Sequence, residues 1–181
     1  MRKSILIIIC FFILSFQSYS QEVGYNTTDI GLEINHYSGG NIYNLQLAFN
    51  SKLHHSFLIR AGYNSVNGNY SDKYENEKGG GFVAGVGYRY YALYRPHGFF
   101  IGPKVDYWNM NIDWTNNLSI ANSKTALLVP AVETGYMLLI NDLFFITPAV
   151  SVGTRVNLKS DINPLKDGLI VQVGISAGVK F

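Results

Sequence analysis

The last stretch of the chain alternates without a break. Leu169, Val171, Val173, Ile175, Ala177, Val179 and Phe181 take one set of alternate positions, while Ile170, Gln172, Gly174, Ser176, Gly178 and Lys180 take the other. Successive side chains on an extended strand point to opposite faces, so this spacing predicts a β-strand with one apolar face. The same parity recurs in seven earlier segments. One face collects Ile30, Leu32 and Ile34; Tyr43, Leu45, Leu47 and Phe49; Phe57, Ile59, Ala61 and Tyr63; and Phe82, Ala84, Val86, Tyr88 and Tyr90. It continues with Phe99, Ile101, Pro103, Val105 and Tyr107, then Leu128 to Leu138, then Phe144 to Val152, each at every second residue. This face carries no charge in any of the segments, and Thr134 is its one clearly polar member. The opposite face holds Glu33, Gln46, Arg60, Arg89, Lys104, Asp106, Glu133 and Arg155 among many Gly, Ala and Ser.

A charge on a lipid-facing strand position costs about 2–4 kcal/mol at mid-bilayer, so a membrane imposes this kind of exclusion. The connections agree. Short links at Ser51 to His54, Arg95 to His97 and Asn141-Asp142 alternate with longer polar ones at Val66 to Gly80, Asn111 to Ser123 and Asn157 to Asp167. The hairpin at Ser38-Gly39-Gly40 is the one short connection on the long-loop side. Aromatic residues gather near both ends of the apolar face. Phe49, Phe57, Tyr90, Phe99, Phe144 and Phe181 predict one interfacial girdle, and Tyr43, Tyr63, Phe82 and Tyr107 the other. Lipid cannot satisfy an open strand edge, so the strands are expected to close on themselves. The expected fold is an all-β, eight-stranded antiparallel transmembrane β-barrel. A soluble ligand-binding barrel would turn the apolar face inward, leaving an outer surface unusually rich in Gly and poor in charge.

The N-terminus changes the charge picture. Arg2 and Lys3 precede a segment from Ile5 to Phe16 that is apolar apart from Ser15, and Ser18 and Ser20 place small residues before Gln21. This is the layout of a secretory signal peptide over 1–20, too short for the ~20 residues of a spanning helix. The barrel domain is then expected over 21–181. Without the leader, the basic groups equal the 12 acidic ones in number, and the single cysteine, Cys10, is gone. A neutral chain is not a nucleic-acid binder, and thiol chemistry and thiolate metal sites are excluded.

The chain resembles the small eight-stranded outer-membrane barrels of Gram-negative bacteria, the group that includes OmpX-like and OmpW-like proteins and the OmpA membrane domain. The resemblance covers the segment after the leader and is most specific in the terminal strand, where Phe181 follows Val179, Ala177, Ile175 and Val173. It implies a bacterial outer-membrane location with both termini in the periplasm. The same five residues then resemble the signal read by the barrel-assembly machinery. Outer-membrane lipids are the implied partners, the chain is expected to be a monomer, and no cofactor is implied. Pro103, Pro130 and Pro148 depart from a regular ladder, since each removes a donor; the sequence leaves open whether they mark bulges or rim irregularities.

Counting from the short turns puts Arg60, Arg89, Lys104, Asp106 and Glu133 at similar depth, with Glu33 beside them. Three positive and three negative groups at one level read as a structural ion-pair plug, because charges buried unpaired are costly. The competing reading is a polar lining for a narrow, porin-like solute path. Eight strands leave an interior just wide enough for side chains to fill, which favours the plug.

Catalytic chemistry is weakly signalled. His36 and Ser38 give an H-x-S spacing similar to that of outer-membrane lipid A deacylases, but in the first hairpin rather than a late strand, and without an assigned acidic partner. His54 and His55 are adjacent on extended chain and point apart, so they make a poor metal site, and none is expected. Loop residues Tyr70, Tyr74 and Trp114 are candidates for recognition of an unidentified surface ligand. The function expected is non-enzymatic support of envelope integrity, or surface interaction through the loops. A narrow channel is the alternative and a lipid A-modifying enzyme the third reading.

Overall fold

The computed structural model describes residues 27–51, 53–68, 76–93, 96–116, 119–160 and 168–181. The expected signal peptide and Gln21 lie outside these residues, as do Tyr70 and Tyr74. Eight strands follow in chain order: β1 (Thr27–Tyr37), β2 (Gly40–Asn50), β3 (His55–Gly68), β4 (Asn76–Tyr91), β5 (Gly98–Asn116), β6 (Ser119–Ile140), β7 (Phe144–Ser160) and β8 (Gly168–Lys180). Each pairs antiparallel with the next, and β8 pairs with β1 to close the barrel. At the seam, Thr28 and Phe181 exchange backbone hydrogen bonds of 3.1 and 2.9 Å.

Which face points outward separates a membrane barrel from a soluble one. Leu32, Leu45 and Val173 are 69%, 56% and 56% exposed, whereas their neighbours Glu33, Gln46 and Gln172 are 3%, 0% and 1% exposed. The apolar set faces out and the polar set is enclosed, the inverse of a soluble barrel. The aromatic residues of both expected girdles are on this outer face, and Tyr43, Tyr63 and Phe82 stand side by side on β2, β3 and β4. Thr134 resolves its own polarity: its hydroxyl donates to the Phe100 carbonyl at 2.9 Å.

Several local rules fix the connections. At the three-residue β6–β7 turn, Asn141 and Asp142 have φ of 52° and 55°, left-handed conformations that these residue types tolerate, and the Leu143 amide donates to the Ile140 carbonyl at 3.2 Å to close it. The prolines mark gaps rather than bulges. The β4–β5 ladder pairs Gly87 with Lys104 and Tyr90 with Ile101, skipping the pairs between them without changing register, and Pro103 lies in that gap. Pro130 and Pro148 sit in equivalent gaps between β6 and β7. The one shift of register in that ladder falls elsewhere, at Ala126/Leu127. A lumen-facing glycine lets the chains close at such gaps. A Cβ on Gly102 would collide with the carbonyl oxygen of Tyr88, which the register sets opposite Pro103, and a Cβ on Gly135 would lie 2.5 Å from that of Pro148.

The strands at one end run further than the apolar band. The segment Asn111 to Ser123, expected as loop, is strand through Asn116 and again from Ser119, so Trp114 belongs by its backbone to β5 rather than to a loop. Val66–Gly80 and Asn157–Asp167 are shortened in the same way. The reason is visible along β5. Up to Tyr107 the outward positions are apolar; beyond it they are Asn109, Asn111 and Asp113, all exposed, while Trp108, Met110 and Ile112 are buried inside. The alternation continues but its polarity inverts, because the outer face passes from lipid to water while the inner face stays packed.

Candidate functional site: the lumen and the outer rim

All six lumen charges are at least 96% buried. Arg60, on β3, is 2.8 Å from Glu133 on β6 and 3.2 Å from Glu33 on β1. Arg89, on β4, is 2.9 Å from the second oxygen of Glu133. Glu33 also accepts a 3.1 Å hydrogen bond from the Asn44 amide. These four charges bind four strands together across the lumen. Lys104 and Asp106 form a separate pair at 3.5 Å, and the Lys104 ammonium donates to Gln172 on β8 at 2.6 Å. The cluster is therefore two groups linked to different walls rather than one ring.

Sequence reasoning missed what lies above and below. The inward face was expected to hold small residues beside its charges, but large apolar side chains fill it at both ends. Toward the short turns, Tyr91, Phe100, Met137 and Phe145 pack together, each at most 1% exposed. Toward the long hairpins, Tyr37, Ile42, Val83, Trp108, Met110 and Leu127 belong to a second buried cluster. The inward positions of β5 show the order on one strand: Phe100, Gly102, Lys104, Asp106, Trp108, Met110, Ile112. On β6 the same order runs Met137, Gly135, Glu133, Ala131, Val129, Leu127. The layers are joined by specific contacts. The Arg89 guanidinium stands 4.3 Å from the Phe100 ring centre, where the ring face attracts a cation. Tyr37 and Trp108 rings are 5.2 Å apart, and the Tyr37 hydroxyl donates to Asn64 at 2.7 Å. The signal was present in the alternate residues of β5, but those residues look like an ordinary apolar run until the outer face is known.

No protein-family model matches the chain, and no curated protein matches it. Among solved structures it is similar to the N-terminal β-barrel domain of Pseudomonas aeruginosa OprF, at 13% identity and a TM-score of 0.50, covering 87% of this chain and 99% of that one. It is also similar to Ail, the attachment invasion locus protein of Yersinia pestis, at 8% identity and a TM-score of 0.51, covering 87% and 97%. The fold is that of the small eight-stranded outer-membrane barrels.

In this outer-membrane-type barrel the five residues of the terminal strand, Val173, Ile175, Ala177, Val179 and Phe181, all lie on the outward face, with Phe181 68% exposed at the short-turn rim. Beside them Lys180 turns inward, 3.7 Å from Asp29, and its ammonium donates a hydrogen bond to the Pro96 carbonyl at 3.0 Å. This ties β8, β1 and the β4–β5 turn together. His54 and His55 lie at the same rim. His54 stacks on Tyr90 and bonds the Tyr91 carbonyl at 2.8 Å, while His55 meets the Tyr88 hydroxyl and the edge of the same Tyr90 ring; the two histidine rings lie edge to face with centroids 6.4 Å apart, rather than pointing apart as alternation predicts, because both turn toward Tyr90. Among the described residues no group of three His, Cys, Asp or Glu could hold a metal ion. At the opposite rim His36 and Ser38 are both exposed, and His36 Nδ1 is 3.0 Å from the side-chain oxygen of Asn41. The backbone of Trp114 pairs with Glu77 and Ala121 in the extended sheet.

Proposed function

We propose that the chain is a bacterial outer-membrane barrel with a closed lumen, and that it acts at its outer rim and hairpins in envelope integrity or surface interaction, without catalysis. In this reading residues 1–20 are a removed signal peptide, both termini are periplasmic, and the long hairpins face outward from the cell. The protein is a monomer in contact with outer-membrane lipids, and its terminal strand is read by the barrel-assembly machinery. One observation carries the closed lumen: the lumen charges pair with one another between two layers of buried aromatic and aliphatic side chains. An ion would have to part both apolar layers and then compete with pairs held in a poorly solvated space. Against the lipid A-modifying reading, the group that meets His36 is the Asn41 amide and not the acidic partner which that reading requires.

The test is planar-bilayer conductance of the processed chain purified from the membranes of an expressing bacterium, with a heat-modifiability gel to verify the folded barrel. A folded, electrically silent barrel is expected. Reproducible unitary conductance that changes on Arg89→Gln or Glu133→Gln would instead establish a small porin.

A further inference from the structure

The outward face changes character in two adjacent rows where β1 to β5 leave the apolar band. The inner row is aromatic: the register places Tyr43 beside Tyr63, and Tyr63 beside Phe82. Their exposures are 49%, 54% and 54%, so the rings are presented rather than packed away. The next row outward runs His36, Asn41, Ser65, Gly80 and Asn111 on five consecutive strands. Gly80 lets the two rows meet: a Cβ there would overlap the Tyr63 hydroxyl, so the phenol lies across the glycine and widens the flat surface into the polar row.

We propose that this two-row surface binds the uncharged sugar headgroup of a membrane glycolipid. Ring faces suit the C–H-bearing faces of a pyranose, while amides and hydroxyls donate to and accept from its hydroxyl groups. Charge decides between a sugar and a phosphate. A phosphate site needs converging cations, and on β1 to β5 the polar row contains no Lys or Arg; its continuation on β6, opposite Asn111, is Lys124, a single cation at one end of the row. Its one ionisable member on β1 to β5, His36, has Nδ1 engaged by Asn41. One row further out, Lys78 stands directly opposite Asp113, so that lysine is matched by an acid. The inference rests on the reading that the long-hairpin end faces a glycolipid-bearing surface, but it is independent of whether the lumen conducts.

The purified barrel is reconstituted in phosphatidylcholine vesicles, in vesicles with a fraction of digalactosyl diacylglycerol, and in vesicles with the same fraction of phosphatidylglycerol. Its rate of thermal unfolding is read from the gel shift of the folded form. A ligand that binds only the folded state slows its loss, so the glycolipid is expected to slow unfolding several-fold and phosphatidylglycerol to leave it unchanged. The Tyr43→Leu/Tyr63→Leu variant keeps the apolar band and is expected to lose the glycolipid effect. Asn41→Ala/Asn111→Ala is expected to lose it as well and decides the matter if the tyrosine variant does not fold. Equal rates in the three vesicles would overturn the proposal, since a girdle that only anchors the barrel does not distinguish these headgroups. An equal effect of phosphatidylglycerol, or a glycolipid effect that survives the substitutions, would overturn it too.

Discussion

Arg60 reaches from β3 across the lumen to β6, where its Nη2 stands 2.8 Å from Glu133 Oε1. The two residues are remote in sequence and their strands are not neighbours in the sheet, so the contact braces the barrel wall across its interior. Glu133 also takes Arg89, and a single carboxylate thereby holds two guanidinium groups that are 1% exposed.

Replacing Glu133 with Gln leaves both arginines charged, enclosed and short of one counter-charge. Removing one partner of a buried pair costs about 3–5 kcal/mol, so Glu133→Gln is expected to lower the urea midpoint of the reconstituted barrel by a corresponding amount. The triple change Arg60→Met/Arg89→Met/Glu133→Leu is expected to recover much of the loss, because no charge is then stranded. Gel-shift unfolding curves in urea check both.

The boundary of the apolar band can be tested along one face of one strand. Val105 and Asn111 both point outward on β5, on opposite sides of the polarity switch. Val105→Arg places a cation in hydrocarbon and is expected to cost about 2–4 kcal/mol, whereas Asn111→Arg in water is expected to cost no more than about 0.5 kcal/mol. Comparable losses from the two would place Asn111 inside the bilayer.

Phe100 carries two loads, as part of the apolar layer with Tyr91 and as the ring beneath Arg89. Phe100→Ala is expected to destabilise the barrel by about 3–5 kcal/mol through the cavity it leaves. Phe100→Leu keeps most of the volume but loses the ring face, so it is expected to cost about 0.5–2 kcal/mol, within the range of a cation–ring contact. Denaturation midpoints of the two variants separate packing from the ring interaction.

The seam offers a double-mutant cycle. Lys180→Met leaves Asp29, which is fully enclosed, without its cation, and Asp29→Asn does the reverse. The double variant is expected to be more stable than the sum of the single losses predicts, by about 0.5–3 kcal/mol, the range for residues in contact. Additive losses would mean that the pair does not secure the closure of β8 on β1.

The lipid-facing surface is legible in the sequence. The outward face could be read from Ile30 to Phe181 because a bilayer is one uniform solvent: it acts on every second residue of every strand in the same way. Thr134 stood out as its lone polar member, and it meets the Phe100 carbonyl. The loop boundaries were less legible. Trp114 looked like loop because the outer positions beside it, Asn111 and Asp113, are polar, although the alternation had only changed its polarity at the edge of the lipid.

The sequence alone determined the strand count, the face each residue takes and the end at which the turns are short, since these follow from period-two patterning against lipid. Tertiary structure decided who meets whom inside. Glu33 and Lys104 are both inward charges by parity, yet Glu33 on β1 joins Arg60 on β3 while Lys104 on β5 reaches Gln172 on β8. Pairing across a lumen depends on strand register and on which walls face one another, and alternation along a single strand carries no information about either. The same is true of Pro103: the missing donor was visible in the sequence, but only closure against β4 shows that the ladder skips and resumes in register.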